Sequence, residues 1–119
     1  MNIEKLKFPI GKYTSINNPD KKVINNWIDD IERFPSRIKE LVTEIQDSQL
    51  NLRYRPEGWT VKQVIHHCAD SHMNAFIRFK LALTEDTPPI KPYKQDAWVN
   101  TADVLNTDVS NHDVNNKIE

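Results

Sequence analysis

A short stretch near the middle of the chain concentrates residue types that bind metals or act as nucleophiles and bases. Between Val64 and Asn74 lie three of the four histidines, the only cysteine and an aspartate. Three kinds of arrangement fit these residue types: a histidine-ligated metal, a cysteine nucleophile with a histidine base, or a helix that carries polar residues for structural reasons. The spacing of the residues distinguishes among them.

The three histidines do not converge on one point if the stretch is helical. Successive residues of an α-helix lie about 100° apart, so His66, His67 and His72 face three different directions. Two histidine ligands on one helix need a spacing of three or four, whereas the separations here are one, five and six. The cluster by itself is therefore not a metal site, and it donates at most one ligand to a site that is completed elsewhere.

The apolar face of this helix gives two of the residues a structural interpretation. Val61, Ile65 and Cys68 define that face, and His72 falls in its middle. This position favours a hydrogen-bonded core histidine over a ligand. Cys68 is most simply a small buried hydrophobe, because a reactive thiol needs an exposed, electropositive setting.

The remaining polar residues of the cluster lie on two other faces. His66 and Asp70 are four residues apart and can contact each other, most simply as a solvated surface pair. His67 lies in a polar stripe, far from the apolar face. Of the three histidines, it is the one whose position leaves it available for a functional role.

Two amphipathic helices are predicted to position these residues. Apolar residues recur at spacings of three and four over residues 20–46, where Pro35 is expected to end or kink the helix or to begin a second one. The second helix is predicted over residues 60–84. Thr60 and Gln63 form a capping box, which places the start of this helix at Thr60.

The two ends of the chain have weaker patterns. Residues 1–19 predict an extended arm, with Phe8, Ile10 and Tyr13 available to pack on the helices. Residues 85–119 predict a linker stiffened by prolines, followed by the start of a third helix. No segment has the pattern of a strand, so the expected fold class is all-α, in a single domain.

Composition narrows the classes of function. The chain has 16 basic and 17 acidic residues, so its charges nearly balance. This balance gives no electrostatic reason to expect binding to nucleic acid or to an anionic membrane. Its single cysteine excludes an internal disulfide and a zinc site made of cysteines alone. The first residues do not read as a signal peptide, and no apolar run is long enough to span a bilayer. We expect a soluble, cytoplasmic protein.

The chain resembles the DinB/YfiT superfamily, and more narrowly its YfiT-type metal-dependent hydrolases. The resemblance is carried by GWTVKQVIHHCADSHMN over residues 58–74 and by RFKLALTE over residues 78–85. Shorter pieces in the same order, among them FPIG, SQL, PPIKPY and AW, extend it over residues 7–98.

The resemblance implies a four-helix bundle that is usually dimeric and that holds one zinc- or nickel-like ion on three histidines. This chain would contain the N-terminal part of the bundle, about two long helices plus a linker. The first ligand follows a Trp and a Ser or Thr, and precedes an acidic residue by three positions. Trp59, Thr60 and Asp70 match that pattern, so the resemblance assigns His67 as the ligand.

The other two ligands in the family are an HxxxH pair on the last helix, and this chain contains no such pair. Its remaining histidine, His112, lies in an Asn/Asp-rich segment that does not match the motif. The resemblance therefore predicts either a truncated member of the family or a bundle whose missing helices come from another polypeptide. By itself, such a chain would be inactive.

The implied activity is hydrolysis by water that the ion activates, since a zinc with three imidazole ligands keeps an open position for water. An alternative within the superfamily is a metal-dependent S-transferase for low-molecular-weight thiols, and another is a helical bundle without activity. The substrate would be a small molecule, with no nucleic acid and no membrane as partner. Asp70, His66 and His72 are the candidates for supporting the ligand, for instance by holding an imidazole N–H.

Overall fold

The structure is a computed structural model, and it describes residues 2–106. Within that range the chain is all-α, and an isolated bridge between Arg53 and Thr60 is the only strand-like pairing. The elements in chain order are α1 (Ile3–Lys7), α2 (Lys21–Glu44), a 3-10 turn (Asp47–Gln49), α3 (Val61–Thr84), α4 (Gln95–Trp98) and α5 (Ala102–Leu105). Only α2 and α3 are long, so these two helices set the architecture.

Helix α2 begins at a side-chain cap and continues past its proline. The Asp20 carboxylate accepts a hydrogen bond from the backbone N–H of Val23 at 2.8 Å, which satisfies one free donor of the first turn. Pro35 lies inside α2, which is a single helix ending at Glu44. The prediction that Pro35 ends one helix or begins another is therefore wrong. A proline removes one backbone donor, and the rest of the hydrogen-bond ladder continues on both sides of it.

Helix α3 begins where its cap predicts. Gln63 N donates to the Thr60 hydroxyl at 3.2 Å, and Thr60 N donates to the side-chain oxygen of Gln63 at 2.9 Å. The predicted capping box is thus confirmed. The amide nitrogen of Gln63 also donates to the carbonyl of Val99 at 3.1 Å, so the same side chain attaches the α4–α5 segment to the start of α3.

The buried core surrounds the first half of α3. Val42 of α2, Leu50 of the connector and Ile65 of α3 form one cluster. On another side of α3, Val99 and Val104 are completely buried where α5 packs against the helix. The core is therefore built at the end of α3 that also carries His67.

The apolar faces of both long helices continue beyond the part that is covered. In the second half of α3, Phe76 and Phe79 are each 62% exposed and Leu83 is 83% exposed. In the first half of α2, Ile28 and Ile31 are also more than half exposed. Amphipathic helices normally bury such stripes against neighbouring elements. We call these residues of α2 and α3 the bare faces; within residues 2–106 no element covers them.

The ends of the chain differ from expectation. The predicted extended arm contains the short helix α1, whose first turn is capped by the Asn2 side chain. Ile10 is fully exposed and Tyr13 is 87% exposed, so neither packs on the helices as expected. After α3, the expected linker is non-helical as far as Lys94, and the two short helices α4 and α5 follow it where the start of one third helix was expected. The rest of that expectation concerns residues 107–119, which are not described. Among the described residues, no helix combines the length and apolar character that a membrane crossing requires.

The capping box makes a prediction about stability. Replacing Thr60 by Ala removes the hydroxyl acceptor of the cap and should lower the free energy of unfolding by about 1 kcal/mol. Chemical denaturation monitored by circular dichroism measures this change. Thr43→Ala is the matched control, because the exposed Thr43 hydroxyl only donates to the Lys39 carbonyl of its own helix. Equal losses in the two variants would contradict the role assigned to the cap.

Candidate functional site around His67

The His67 imidazole has two aromatic neighbours. The Trp59 ring is 4.8 Å away between centroids and tilted by 57°. The Tyr93 ring is 6.4 Å away and within 27° of parallel. Tyr93 in turn packs against Trp98 at 4.6 Å. We call Trp59, His67 and Tyr93 the aromatic cluster.

Segments on both sides of α3 supply the two neighbouring rings. Trp59 directly precedes the cap residue of α3, and Tyr93 follows the proline-containing linker after α3. The indole N–H of Trp59 donates to the Asp96 carboxylate at 2.9 Å, so the two segments are joined across the site. The arrangement of the aromatic cluster therefore depends on contacts between residues that are distant in the sequence.

The environment of His67 favours a neutral imidazole. Burial lowers the pKa of His67, and the nearby Asp70 carboxylate opposes this shift in part. Its Nδ1 atom is buried and has no hydrogen-bond partner among the described residues. A neutral imidazole with an unused nitrogen is the form in which histidine binds metal ions.

Tyr93 contributes a second buried polar atom to the site. Its hydroxyl oxygen has no partner at hydrogen-bonding geometry within residues 2–106. Burial and then the Asp70 carboxylate raise the pKa of Tyr93, while the neighbouring Ser71 hydroxyl and Arg78 act in the opposite direction. The phenol therefore stays protonated at neutral pH and can donate a hydrogen bond to a bound group.

His66 and Asp70 are not the solvated surface pair that their spacing suggested. His66 is 3% exposed and Asp70 is 5% exposed, so both are buried. They share a face of α3 with Gln63, to which the α4–α5 segment is attached. This face of α3 is therefore buried, although its polar residues predicted exposure. Whether they support a ligand at His67 stays a prediction.

His72 and Cys68 have surroundings that fit structural roles. The His72 ring stacks on Phe34 of α2 at 4.6 Å with an interplanar angle of 22°, so it faces the other long helix. Cys68 is half-buried, and burial raises the pKa of its thiol. A thiol that keeps its proton is a poor nucleophile at neutral pH. A supporting role for His72 stays a prediction.

The described residues do not complete a metal site. Within residues 2–106, no group of three or more His, Cys, Asp or Glu side chains is placed to hold an ion. A catalytic zinc site takes three protein ligands, and His67 is one candidate. His112, the histidine that did not match the family motif, lies outside the described residues. Any further ligands come from outside residues 2–106 or from another chain.

Sequence reasoning missed the residues that surround His67. Trp59 and Tyr93 were noticed only as parts of the family resemblance, and Asp96 was given no role. The available signals were a tryptophan next to the helix cap and an aromatic residue just after a proline-rich linker. Neither signal indicates that the linker folds back across α3, which is what brings these residues together.

The electrostatics of the site predict a pH dependence. In an NMR titration, His67 should protonate below a histidine's ordinary pKa of about 6.5. Asp70→Asn should lower the pKa further, because the carboxylate raises it. Asp86→Asn, at an exposed position beyond α3, is the control and should leave the titration unchanged. Because the folded state lowers the pKa of His67, folding disfavours its protonation. The contribution of His67 to the free energy of unfolding is therefore complete above the pKa of the unfolded chain, and it is lost as the pH falls through the pKa of the folded protein. A His67 pKa at or above the ordinary value would refute this account.

The sequence is similar to proteins that are named for a metal-dependent activity. It is 48% identical over 105 residues to the "Putative metal-dependent hydrolase YfiT" of Bacillus subtilis, covering 88% of this chain and 59% of that protein. It is 45% identical over 106 residues to a protein of Bacillus mycoides with the same descriptive name, covering 88% and 61%. The chain therefore spans about three fifths of the length of these relatives.

The fold is also similar to a solved structure. YfiT from Bacillus subtilis, described as having an unusual four-helix bundle topology, matches with a TM-score of 0.85 and 42% identity. The match covers 96% of this chain and 64% of that one. The predicted fold class is thereby confirmed. A model of the DinB superfamily matches residues 30–113, which is more than half of the chain. The chain belongs to the DinB superfamily.

Proposed function

We propose that this chain is part of a metal-dependent hydrolase of the YfiT type and supplies His67 as one ligand of a divalent ion. The observation that carries the proposal is the buried Nδ1 atom of His67, which has no hydrogen-bond partner among the described residues. Burial also lowers the pKa of this imidazole. The names of the Bacillus relatives support the class of activity. Zinc and nickel both accept imidazole ligands, so either ion suits the proposal.

The residues around His67 prepare it for this role. The neighbouring rings of Trp59 and Tyr93 limit the orientations open to the imidazole. Burial holds the imidazole neutral, so that no proton has to leave before a ligand bond forms. The protonated Tyr93 hydroxyl is a donor for an oxygen atom of the small-molecule substrate.

We further propose that two copies of the chain associate through the bare faces. Each copy has two long helices with exposed apolar stripes, and a four-helix bundle buries such stripes between four helices. Two copies together supply four long helices. Contiguous apolar faces of this kind mark protein–protein contacts in soluble proteins.

The first test of the proposed function measures metal affinity. Calorimetric titration with Zn²⁺ should show binding at least about tenfold weaker in His67→Ala than in the unchanged chain, equivalent to about 1.4 kcal/mol. His72→Ala is the matched control, because it removes a histidine of the same helix that stacks on α2. Equal zinc affinity in the unchanged chain and in His67→Ala would reject His67 as a ligand.

The second test measures association. Light scattering should give a mass near twice the chain mass of 13.9 kDa. Ile28→Asp places a charge in a bare face and should shift the protein to the monomer. Asn26→Asp adds a charge on the opposite side of α2 and should leave the dimer intact. A monodisperse monomer of the unchanged chain would contradict this proposal.

A further inference from the structure

The hydrogen bond between Trp59 and Asp96 joins the two segments that flank α3. The indole Nε1 donates to the Asp96 carboxylate at 2.9 Å across 37 positions of sequence. Trp59 lies just before the cap of α3, and Asp96 lies in the first turn of α4. A hydrogen bond to a charged acceptor is stronger than one between neutral groups, so this contact can restrict the ring even near the surface.

The Trp59 side chain adjoins both His67 and an apolar cavity. One side of the ring meets His67, with 4.8 Å between centroids. Trp59 also lines a cavity of about 530 Å³ with mostly apolar walls, among them Ile38, Val42 and Val64. A tryptophan side chain turns about only two bonds, and an apolar cavity next to it offers room for a second orientation. A contact that selects one orientation therefore decides whether the Trp59 ring lies against His67.

We propose that Asp96 is a positioning residue that holds the Trp59 ring against His67 and so orients the imidazole to bind a divalent metal ion. The part of this inference that concerns the metal ion rests on the proposed function. The orientation of Trp59 itself does not depend on it. Asp96 acts through Trp59, since the interaction that links it to the site is the bond to the indole N–H.

The backbone around Asp96 is held independently of its carboxylate. Asn100 donates to the main-chain carbonyl of Asp96 at 2.7 Å, and Gln63 donates to the carbonyl of Val99. Replacing only the side chain of Asp96 therefore leaves the attachment of α4 to α3 in place. This separation makes the positioning role testable without unfolding the segment.

The test compares Asp96→Ala with Asp96→Asn. The asparagine keeps a side-chain oxygen that can accept from the indole N–H, whereas alanine removes the acceptor. In Asp96→Ala, the NMR shifts of the His67 ring protons should lose most of the displacement caused by the Trp59 ring current, and the Trp59 indole N–H signal should move. Both signals should stay near their original positions in Asp96→Asn. Asp86→Ala, which removes an exposed carboxylate beyond α3, is the control.

Zinc affinity gives the second measurement. Asp96→Ala should weaken Zn²⁺ binding about tenfold, as loss of a residue that orients a ligand usually does, and Asp96→Asn should retain it. His67 ring-proton shifts that are the same in Asp96→Ala and in the unchanged chain would overturn the positioning role. Altered shifts without any effect of His67→Ala on zinc affinity would support the positioning role and reject the proposed function.

A further variant covers the case in which Asp96→Ala does not fold. Trp59→Phe keeps an apolar ring and removes the indole N–H, so it should weaken zinc binding by a similar factor. Adding Asp96→Leu, which removes the acceptor, to Trp59→Phe should change nothing more, because the two residues act through one bond. An additional loss in the double variant would show that Asp96 acts by a route other than Trp59 and would overturn the proposal.

Discussion

The side-chain amide of Gln63 is the contact on which the rest of the structure depends. Its oxygen accepts from the backbone of Thr60 and closes the cap of α3, and its nitrogen donates to the carbonyl of Val99. The first bond sets where α3 begins and therefore the directions in which its side chains point. The second bond brings the segment after the linker back across α3. Because Gln63 is buried, its polar atoms would be costly to leave without these partners.

The site around His67 follows from these two bonds. Starting α3 at Val61 places His67 beside Trp59, and the returning linker brings Tyr93 near the same imidazole. The result is an imidazole with two aromatic neighbours, whose pKa is lowered by burial and raised in part by the Asp70 carboxylate. The same geometry provides one candidate ligand, whereas a catalytic zinc site takes three protein ligands. This shortage and the bare faces of the long helices agree with each other, since each is what part of a four-helix bundle would show.

Local patterns predicted the parts of this structure that local physics controls. The Thr60–Gln63 cap formed as predicted because its groups are three residues apart and can bond within one turn. Helical periodicity separated His67 from the apolar face, where His72 meets α2. The predictions were wrong where burial depended on distant segments, and where the cost of a proline competed with the hydrogen bonds of a long helix. The burial of His66 and Asp70 depends on contacts outside their own helix, and Pro35 costs one hydrogen bond in a helix that has many others.

By itself, the sequence determined that the chain is helical, where α3 begins and which histidine is separated from the apolar face. These properties depend on periodicity and on hydrogen bonds within one helical turn. Only the tertiary structure decided that Trp59 and Tyr93 lie near His67 and that Asp96 bonds to Trp59, because these residues lie on opposite sides of a 24-residue helix in the sequence. No short-range sequence pattern predicts the direction in which the linker after α3 turns. The path of the linker is set by the burial of Val99 and Val104 and by one hydrogen bond, from the side-chain amide of Gln63 to the Val99 carbonyl.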